Sequence, residues 1–247
     1  MYGYGRGFFG LPVVVKNIIM INILMLLAYY AASSVFGIDL NSILGLYFPG
    51  SDQFKPLQIV THMFMHANFW HLFFNMYALY IFGQVLENVW GPKRFFIYYM
   101  ICGLGAAFVH ESVIFIQYHN LMNILNPDQI QLVLDEGTKY LNQGKVFNDQ
   151  SMQDLQILLN TPTVGASGAI FGVLLAFGVL FPNTQLMLLF PPIPIKAKYF
   201  VLAYGAIELY LAFTQPGSNI AHAAHLGGML FGYIMIRYWR KTTKTLY

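Results

Sequence analysis

Six apolar segments, separated by more polar stretches, constrain the fold of this chain more than any other feature. The composition is 57% hydrophobic and only 9% charged, whereas an ordinary soluble domain carries roughly 25% charged residues. A helix of about 20 apolar residues crosses a bilayer core about 30 Å thick. We therefore predict an all-α membrane protein that forms a six-transmembrane-helix bundle. The predicted spans are 18–36, 71–86, 95–115, 167–181, 197–213 and 220–239.

The distribution of lysine and arginine predicts the orientation of the chain. A formal net charge of +3 gives no support to a nucleic-acid partner. Cytoplasmic flanks of membrane spans are enriched in basic residues, so we expect both termini inside, with cytoplasmic segments 1–17 and 241–247 flanking a transmembrane domain, 18–240. This orientation places inside Arg6, Lys16, Lys93, Arg94, Lys196, Lys198, Arg237, Arg240, Lys241 and Lys244, and outside Lys55, Lys139 and Lys145.

The first apolar segment also resembles a secretory signal peptide loosely, because Arg6 and Lys16 precede it and small residues stand at 31–34. The segment is long enough to span, and further spans follow, so we interpret it as the first transmembrane helix. Cys102 is the single cysteine, so no intrachain disulfide is possible.

One polar insertion, from about 117 to 160, separates the third and fourth spans and is predicted to lie outside. Asn126-Pro127-Asp128 is typical of a helix cap followed by proline in the first turn, and Ser151-Met152-Gln153-Asp154 resembles a capping box. We expect two amphipathic helices that either pack on the surface or form a gate over an active site. The expected apolar stripes are Ile130, Leu134 and Leu141, and Met152, Leu155, Leu158 and Leu159.

A serine and a histidine inside two predicted spans indicate chemistry, because polar side chains at membrane depth are energetically costly. Ser167 begins the fourth span and His225 lies in the sixth. Serine becomes a good nucleophile when a base takes its proton, and histidine suits that task near neutral pH. The amide of Ser167 and the helix dipole favour an oxyanion. We therefore predict that Ser167 and His225 form a nucleophile and base pair.

Glycine pairs four residues apart predict a close contact between the serine and histidine helices. Gly168 and Gly172 lie on the first helix, and Gly228 and Gly232 on the second. Small residues at that spacing let membrane helices approach backbone to backbone. Taken alone, each pair is more typical of plain helix packing without chemistry.

A histidine-rich segment at 62–75 supplies a third element. His71 and Asn75 are four residues apart and share a helical face. Two donors on one face can stabilise negative charge on a substrate oxygen. A lone histidine in such a place is more often a satisfied core residue, but His62 and His66 accompany this pair.

Together these motifs resemble the rhomboid family of intramembrane serine proteases, over residues 62–232. The resemblance implies a six-helix core, a first outer loop half-buried in the membrane, and a cap loop at 214–219. It implies that Ser167, in a Gly-x-Ser-Gly motif, is the nucleophile and His225 its base, in a dyad without an acidic third member. His71 and Asn75 would form the oxyanion hole with the Ser167 amide. The expected cavity and support residues are His62, His66, Phe171, His222, Gly165, Gly168 and Gly228.

Three features depart from the family pattern. Leu57-Gln58 stand where many members have tryptophan-arginine, which leaves the first outer loop without that anchor. Phe171 stands where some members have a tyrosine against the histidine, which keeps the stacking and loses a hydroxyl. The polar insertion is longer than in the simplest members.

Other polar and aromatic residues receive structural interpretations by default. Glu208 or Glu111 could orient His225 as an acid does in soluble triads, but a helix-to-helix hydrogen bond is the default. His222 lies about one turn before His225 and is expected to face the same cavity. The remaining expectations are outer-rim positions for His110 and His119, and interfacial anchoring by Trp90, Tyr238 and Trp239.

The expected function is serine endopeptidase activity within a lipid bilayer, without cofactor or metal, on single-pass or polytopic membrane-protein substrates. The few charges and short tails resemble a bacterial inner-membrane form. The non-enzymatic alternative is a rhomboid-like protein that binds membrane clients without cutting them, although such relatives typically lack the serine or the histidine. A transporter is a more distant alternative, because paired interrupted helices in two repeat halves are not evident.

A membrane metalloenzyme is the other enzymatic alternative. The sequence contains no His-Glu-x-x-His motif, and it indicates no carboxylate close to the histidines that could act as base or co-ligand. The candidate ligands would be His62, His66, His71, His222 and His225.

Overall fold

The computed structural model describes residues 10–187, 192–215 and 221–242, and helices dominate these ranges. A 3-10 turn covers His62–Phe64, and a π-helical turn covers Leu79–Gly83. Strands β1, Gln185–Met187, and β2, Pro194–Lys196, pair antiparallel. The helices are α1 Val13–Phe36, α2 Leu40–Leu44, α3 Gln58–Thr61, α4 Phe69–Ala78, α5 Gln84–Trp90, α6 Pro92–Ile124, α7 Pro127–Asn142, α8 Gln150–Asn160, α9 Ser167–Leu180, α10 Ala197–Thr214 and α11 His222–Thr242.

Helices occupy the six apolar segments of the sequence. Two of them, α1 and α6, are long and apolar enough to cross a membrane by length and composition, and α9 is a shorter apolar helix. α6 continues to Ile124 instead of ending near 115, because neither glycine nor proline interrupts 116–124. Arg6, Lys244, Ile220 and positions 216–219 of the expected cap loop lie outside the described residues.

α9 lies at the centre of the helices, against α6 and α11. Its apolar sequence has no polar face, and such a helix is buried on all sides. A side chain on Gly228 would collide with the carbonyl of Gly168, and a Cβ on Gly172 would lie 3.0 Å from the Gly228 carbonyl oxygen. The glycines therefore allow α9 and α11 to approach backbone to backbone, as their spacing predicts. Tyr98 of α6 adds a hydrogen bond of 2.8 Å from its hydroxyl to the Gly172 carbonyl.

The first amides of α1 are capped by a residue far along the chain. Pro12 precedes the helix and has no side-chain acceptor, and the buried Glu87 of α5 accepts the amide protons of Val14 and Val15 at 2.9 and 2.8 Å. A carboxylate at a helix amino terminus satisfies free amides and complements the dipole. Glu87 thereby ties α1 to α5.

Gln58 anchors the loop between α1 and α4. Its side chain is 1% exposed, its oxygen accepts from the Tyr47 and Lys55 amides at 3.4 and 3.0 Å, and its amide donates to the Ile43 and Gln53 carbonyls at 3.2 and 3.1 Å. A neutral amide therefore supplies four hydrogen bonds to the loop where the family pattern leads one to expect an arginine. The neighbouring Leu57 is exposed.

The same loop is joined directly to the segment that leads into α9. Leu46 and Thr163 form an isolated antiparallel bridge, in which each amide donates to the other carbonyl, at 2.9 and 2.8 Å. Thr163 is four residues before Ser167, so the loop and the start of the serine helix are held together by backbone hydrogen bonds.

The insertion forms α7 and α8, and one of its two predicted caps is correct. Asn126 and Gln129 form a capping box at α7. The second cap is Asp149, which accepts from the Met152 amide at 3.0 Å, so Ser151 lies inside α8 and the predicted box is wrong. Aspartate is as good an N-cap as serine, and its earlier position starts the helix sooner.

The buried face of the insertion differs in part from the predicted stripes. Val133 is buried on α7, whereas Leu134 is 51% exposed. The helices pack against each other and against the carboxyl-terminal part of α6, as expected of a surface-packed insertion. The buried members of this cluster are Phe48, Leu125, Val133, Phe147, Met152, Leu155 and Leu159.

Two of the three predicted interfacial anchors are instead buried. Trp90 packs against Tyr98 and Trp239 with ring centroids 4.9 and 5.4 Å apart. Trp239 is also buried, while Tyr238 is exposed. Large aromatic side chains stabilise a core through area and edge contacts, and here they join α5, α6 and α11.

Candidate active site

Ser167 is the first residue of α9 and follows a sharp turn at Gly165. Gly165 has a φ of 133°, a region that L side chains rarely adopt, and its amide donates to the His62 carbonyl at 2.9 Å. The residue before the helix is Ala166, which has no side-chain acceptor. The first amides of α9 therefore point outward without an intrahelical partner, beside the Ser167 hydroxyl.

His225 lies in the first turn of α11 and faces Ser167. Its Nε2 atom is 2.8 Å from the Ser167 Oγ atom. Phe171, one turn after the serine on α9, stacks on the imidazole with ring centroids 4.1 Å apart and planes 8° apart. The stacking restricts rotation of the ring, so the Nε2 atom stays directed at the hydroxyl. Serine and histidine are thus arranged as nucleophile and base require.

His71 and Asn75 approach the same turn from α4. Asn68 caps this helix by accepting from the His71 amide at 2.9 Å. A Cβ built on Gly165 would lie 2.9 Å from His71 Nε2 and 3.8 Å from Ser167 Oγ, so the imidazole and the hydroxyl border one small space. Asn75 is buried, and its Nδ2 group has no hydrogen-bond partner within 10–187, 192–215 and 221–242. A free buried donor is a candidate for binding a substrate oxygen.

The two other histidines of this segment are buried support residues. His62 Nδ1 lies 2.9 Å from the Gln58 carbonyl, and burial separates this histidine from solvent. The His66 ring packs edge-on against His71 at a centroid distance of 4.9 Å. His66 therefore positions His71 by contact, and His62 connects the Gln58 anchor to the Gly165 turn.

A small cavity of about 20 Å³ borders Ser167 on the side of α6, large enough to admit one water molecule. His62 lines it, and His66 does not. His110 lines it as well, with its Nε2 atom 2.9 Å from Thr163 Oγ1. No residue of 117–160 borders this cavity in the part of the chain that the structure describes.

A carboxylate stands behind His225, contrary to the sequence interpretation that none is near the histidines. Glu208 Oε2 of α10 lies 2.6 Å from His222 Nδ1 and 2.9 Å from His225 Nδ1. All three side chains are buried. The other acidic candidate, Glu111, has no hydrogen-bond partner for either carboxylate oxygen among the described residues. The Nδ1 atom of His222 is thus hydrogen-bonded to Glu208.

These three residues form the one cluster of possible metal ligands in the described ranges. His62, His66 and His71 lie outside it, so the five-histidine ligand set considered from the sequence is not assembled. The short contacts from Glu208 to two imidazole nitrogens are hydrogen-bond distances.

A family model described as a Rhomboid domain matches residues 53–242, which is more than half of the chain. The chain belongs to the rhomboid family. Rhomboids are membrane-embedded and are generally intramembrane serine proteases. The match includes Ser167, His225, His71 and Asn75, and also Glu208.

Relatives of this rhomboid occur in mitochondria and in bacteria. Rhomboid protein 1, mitochondrial, of Saccharomyces cerevisiae is 29% identical over 180 residues, which cover 73% of this chain and 41% of the relative. RHOMBOID-like protein 12, mitochondrial, of Arabidopsis thaliana is 30% identical over 181 residues, 72% of this chain and 45% of the relative. Rhomboid protease AarA of Providencia stuartii is 27% identical over 180 residues, which cover 70% of this chain and 52% of the relative. The chain spans about half the length of these relatives, or less.

Sequence reasoning did not predict the hydrogen bonds of Gln58, and it named Glu208 only as one of two acidic residues that could orient His225. Gln58 was seen only as the loss of an arginine, because the sequence does not show which backbone groups a buried amide will bind. The contact from Glu208 to the histidines joins residues on two helices whose rotation a sequence does not specify. The signal available was a glutamate within an apolar span, which is expensive unless it is paired.

Proposed function

We propose that this rhomboid is an intramembrane serine endopeptidase that cleaves transmembrane-helix substrates. The observation that carries the proposal is the 2.8 Å separation of Ser167 Oγ and His225 Nε2, with the imidazole stacked on Phe171. A hydroxyl and an imidazole at this distance form the nucleophile and base pair of serine hydrolases.

In the proposed reaction, His225 Nε2 accepts the Ser167 hydroxyl proton while Oγ attacks the scissile carbonyl carbon. The tetrahedral oxyanion collapses, the C–N bond breaks, and the imidazolium returns its proton to the leaving amine. Water then attacks the acyl-enzyme ester with the same histidine as base, which releases the acid and restores Ser167. No step of the proposed reaction uses a cofactor or a metal.

The oxyanion would be bound by three groups: the Ser167 amide, His71 and Asn75. Donors that are fixed before the reaction stabilise developing charge without reorganisation, and removing one donor of this kind lowers kcat by about 10²- to 10³-fold. The unpartnered Nδ2 of Asn75 and the position of His71 against Gly165 support this assignment.

The proposed setting is a six-transmembrane-helix, multi-pass arrangement with both termini cytoplasmic and the helical insertion outside, between the third and fourth spans. Segments 1–17 and 241–247 would be cytoplasmic and 18–240 the transmembrane domain. On this topology Ser167 and His225 lie toward the outer ends of their helices. A bacterial inner membrane fits the few charges, although two of the relatives above are mitochondrial.

The proposed substrates are single-pass or polytopic membrane proteins. An intact helix hides its carbonyls in its own hydrogen bonds, so the cleaved segment should contain glycine or proline, which weaken a helix.

Labelling with a fluorophosphonate probe, together with cleavage of a transmembrane substrate in proteoliposomes, tests the proposal. Wild type should label and cut. Ser167→Ala should do neither, and His225→Ala should lose about 10³-fold or more of the activity. Circular dichroism of each purified variant controls for folding. A wild type that binds the substrate but neither labels nor cuts it would overturn the proposal in favour of the client-binding alternative.

A further inference from the structure

Glu208 makes contacts that the proposed Ser167 and His225 pair does not account for. It lies in the middle of α10, it is 7% exposed, and a single carboxylate oxygen faces the Nδ1 atoms of both His222 and His225. An isolated buried carboxylate is very costly, and pairing with hydrogen-bond donors offsets this cost. His222 is one such donor, and His225 contacts the same oxygen.

The two nitrogen atoms of the His225 ring face different partners. Nε2 faces Ser167 Oγ at 2.8 Å, and Nδ1 faces Glu208 Oε2 at 2.9 Å. A neutral imidazole carries its proton on one nitrogen only. For Nε2 to accept the serine proton, Nδ1 must hold the ring proton, and an acceptor at Nδ1 favours that tautomer.

The two histidines are not held equally. His222 Nδ1 meets the distance and angle requirements of a hydrogen bond to Glu208. His225 Nδ1 lies 2.9 Å from the same oxygen but is not aligned with it in a hydrogen bond. Hydrogen bonds of a resting active site are often poorly aligned and tighten when substrate binds, so the 2.9 Å contact is close enough to become one.

We propose that Glu208 is a positioning residue that holds His225 in the Nδ1–H tautomer, with His222 as the second donor that fixes the carboxylate. This inference rests on the proposed function and extends its Ser167 and His225 pair into a serine, histidine and glutamate triad. The glutamate comes from α10, a helix that contributes no other residue to the proposed chemistry.

The geometry favours this role over a metal site built from the same residues. Two ligands on one tetrahedral ion, each about 2.0 to 2.1 Å from the metal, stand roughly 3.3 Å apart. The separations of 2.6 and 2.9 Å from Glu208 Oε2 to the imidazole nitrogens are shorter and suit hydrogen bonds.

The proposal is tested by Glu208→Gln, which keeps the size of the side chain and removes its charge. Glu111→Gln is the matched control, because Glu111 is another glutamate in an apolar helix and lies without a partner among the described residues. We expect E208Q to lower kcat by about 10²- to 10⁴-fold, as amide replacement of a triad carboxylate does by imposing the wrong tautomer. KM should change little, and E111Q should match wild type in both constants. Glu208→Asp, which restores the charge, should recover part of kcat.

A second measurement on unmodified protein keeps the proposal falsifiable if E208Q does not fold. Nitrogen NMR of ¹⁵N-histidine-labelled wild type, assigned with His225→Ala, should show Nδ1 protonated and Nε2 unprotonated. The opposite tautomer, or a folded E208Q with wild-type kcat, would overturn the role of Glu208. If wild type cuts, Ser167→Ala is inactive and E208Q is unaffected, this inference fails while the proposed function stands.

Discussion

At the scale of single residues, the backbone conformation and the space at position 165 both require glycine. Its φ of 133° strains any L side chain, and a Cβ there would lie 2.8 Å from His71 Cε1. The contact would push His71 away from the Ser167 turn. Because misplacement of a group by about 1 Å can cost 10²-fold in rate, the glycine matters for activity as well as for the turn.

We therefore predict that Gly165→Ala lowers kcat by about 10²-fold while the protein stays folded. Gly144→Ala is the control, since Gly144 also has a positive φ, 70°, but has open space around it. It should lower stability by roughly 1 to 2 kcal/mol and leave kcat unchanged. Steady-state cleavage and thermal unfolding of both variants measure these effects, and equal kcat values for the two would contradict the prediction.

The residues on which the site proposal rests could be recognised in the sequence, because they are either close together along the chain or polar side chains that are costly to place in an apolar helix. His71 and Asn75 sit one turn apart, and Ser167 and His225 are polar residues in apolar helices. Phe171 could be expected beside the histidine, and its ring does stack there. The acidic partner of His225 could not be chosen from the sequence, because Glu208 and Glu111 both lie in apolar segments and the rotation of α10 and α6 decides which one reaches the histidine.

At the scale of elements, the distance between Ser167 and His225 depends on how closely α9 and α11 pack. A methyl group on Gly228 would collide with the Gly168 carbonyl, which belongs to the backbone and cannot rotate away. The helices would have to separate, and the hydrogen bond between the two side chains would lengthen. Packing and chemistry are therefore coupled at this contact.

We predict that Gly228→Ala destabilises the protein by about 1 to 3 kcal/mol and also removes most of the fluorophosphonate labelling. Gly137→Ala is the matched helical control, because a Cβ there would have a nearest contact of 3.5 Å. That variant should gain up to about 1 kcal/mol from helix propensity and label normally. Thermal unfolding and labelling rates provide both comparisons, and normal labelling of G228A would refute the coupling.

Helix positions followed from apolar runs, whereas helix ends and orientations did not. The second helix of the insertion is capped by Asp149 and not by the predicted Ser151, because several good capping residues lie close together in this segment. Trp90 and Trp239 looked like interfacial anchors because amphipathic aromatics favour that zone, but tertiary contact buried them. The capping of α1 by Glu87 joins residues more than seventy positions apart, a pairing that local patterns cannot reveal.

At the scale of the whole molecule, the apolar composition predicted the class of protein, and the family match confirms a membrane-embedded rhomboid. The length of the insertion and the presence of Gln58 in place of the expected arginine depart from the family pattern described above. Gln58 makes four hydrogen bonds to the backbone of the first loop, and these anchor the loop in the absence of an arginine.

That loop is joined to the segment before Ser167 by backbone hydrogen bonds between Leu46 and Thr163. For the proposed protease, this contact would be a route by which lipid acts on the site. Hydrophobic mismatch shifts a partly inserted segment at a cost of fractions of a kcal/mol per Å, and a shift of the loop would be transmitted through Thr163 to the serine turn. We expect kcat in phosphatidylcholine vesicles to peak at one acyl-chain length and fall for thinner and thicker bilayers. Equal kcat across a series of chain lengths would contradict this. Membrane thickness would then regulate turnover without any effector molecule.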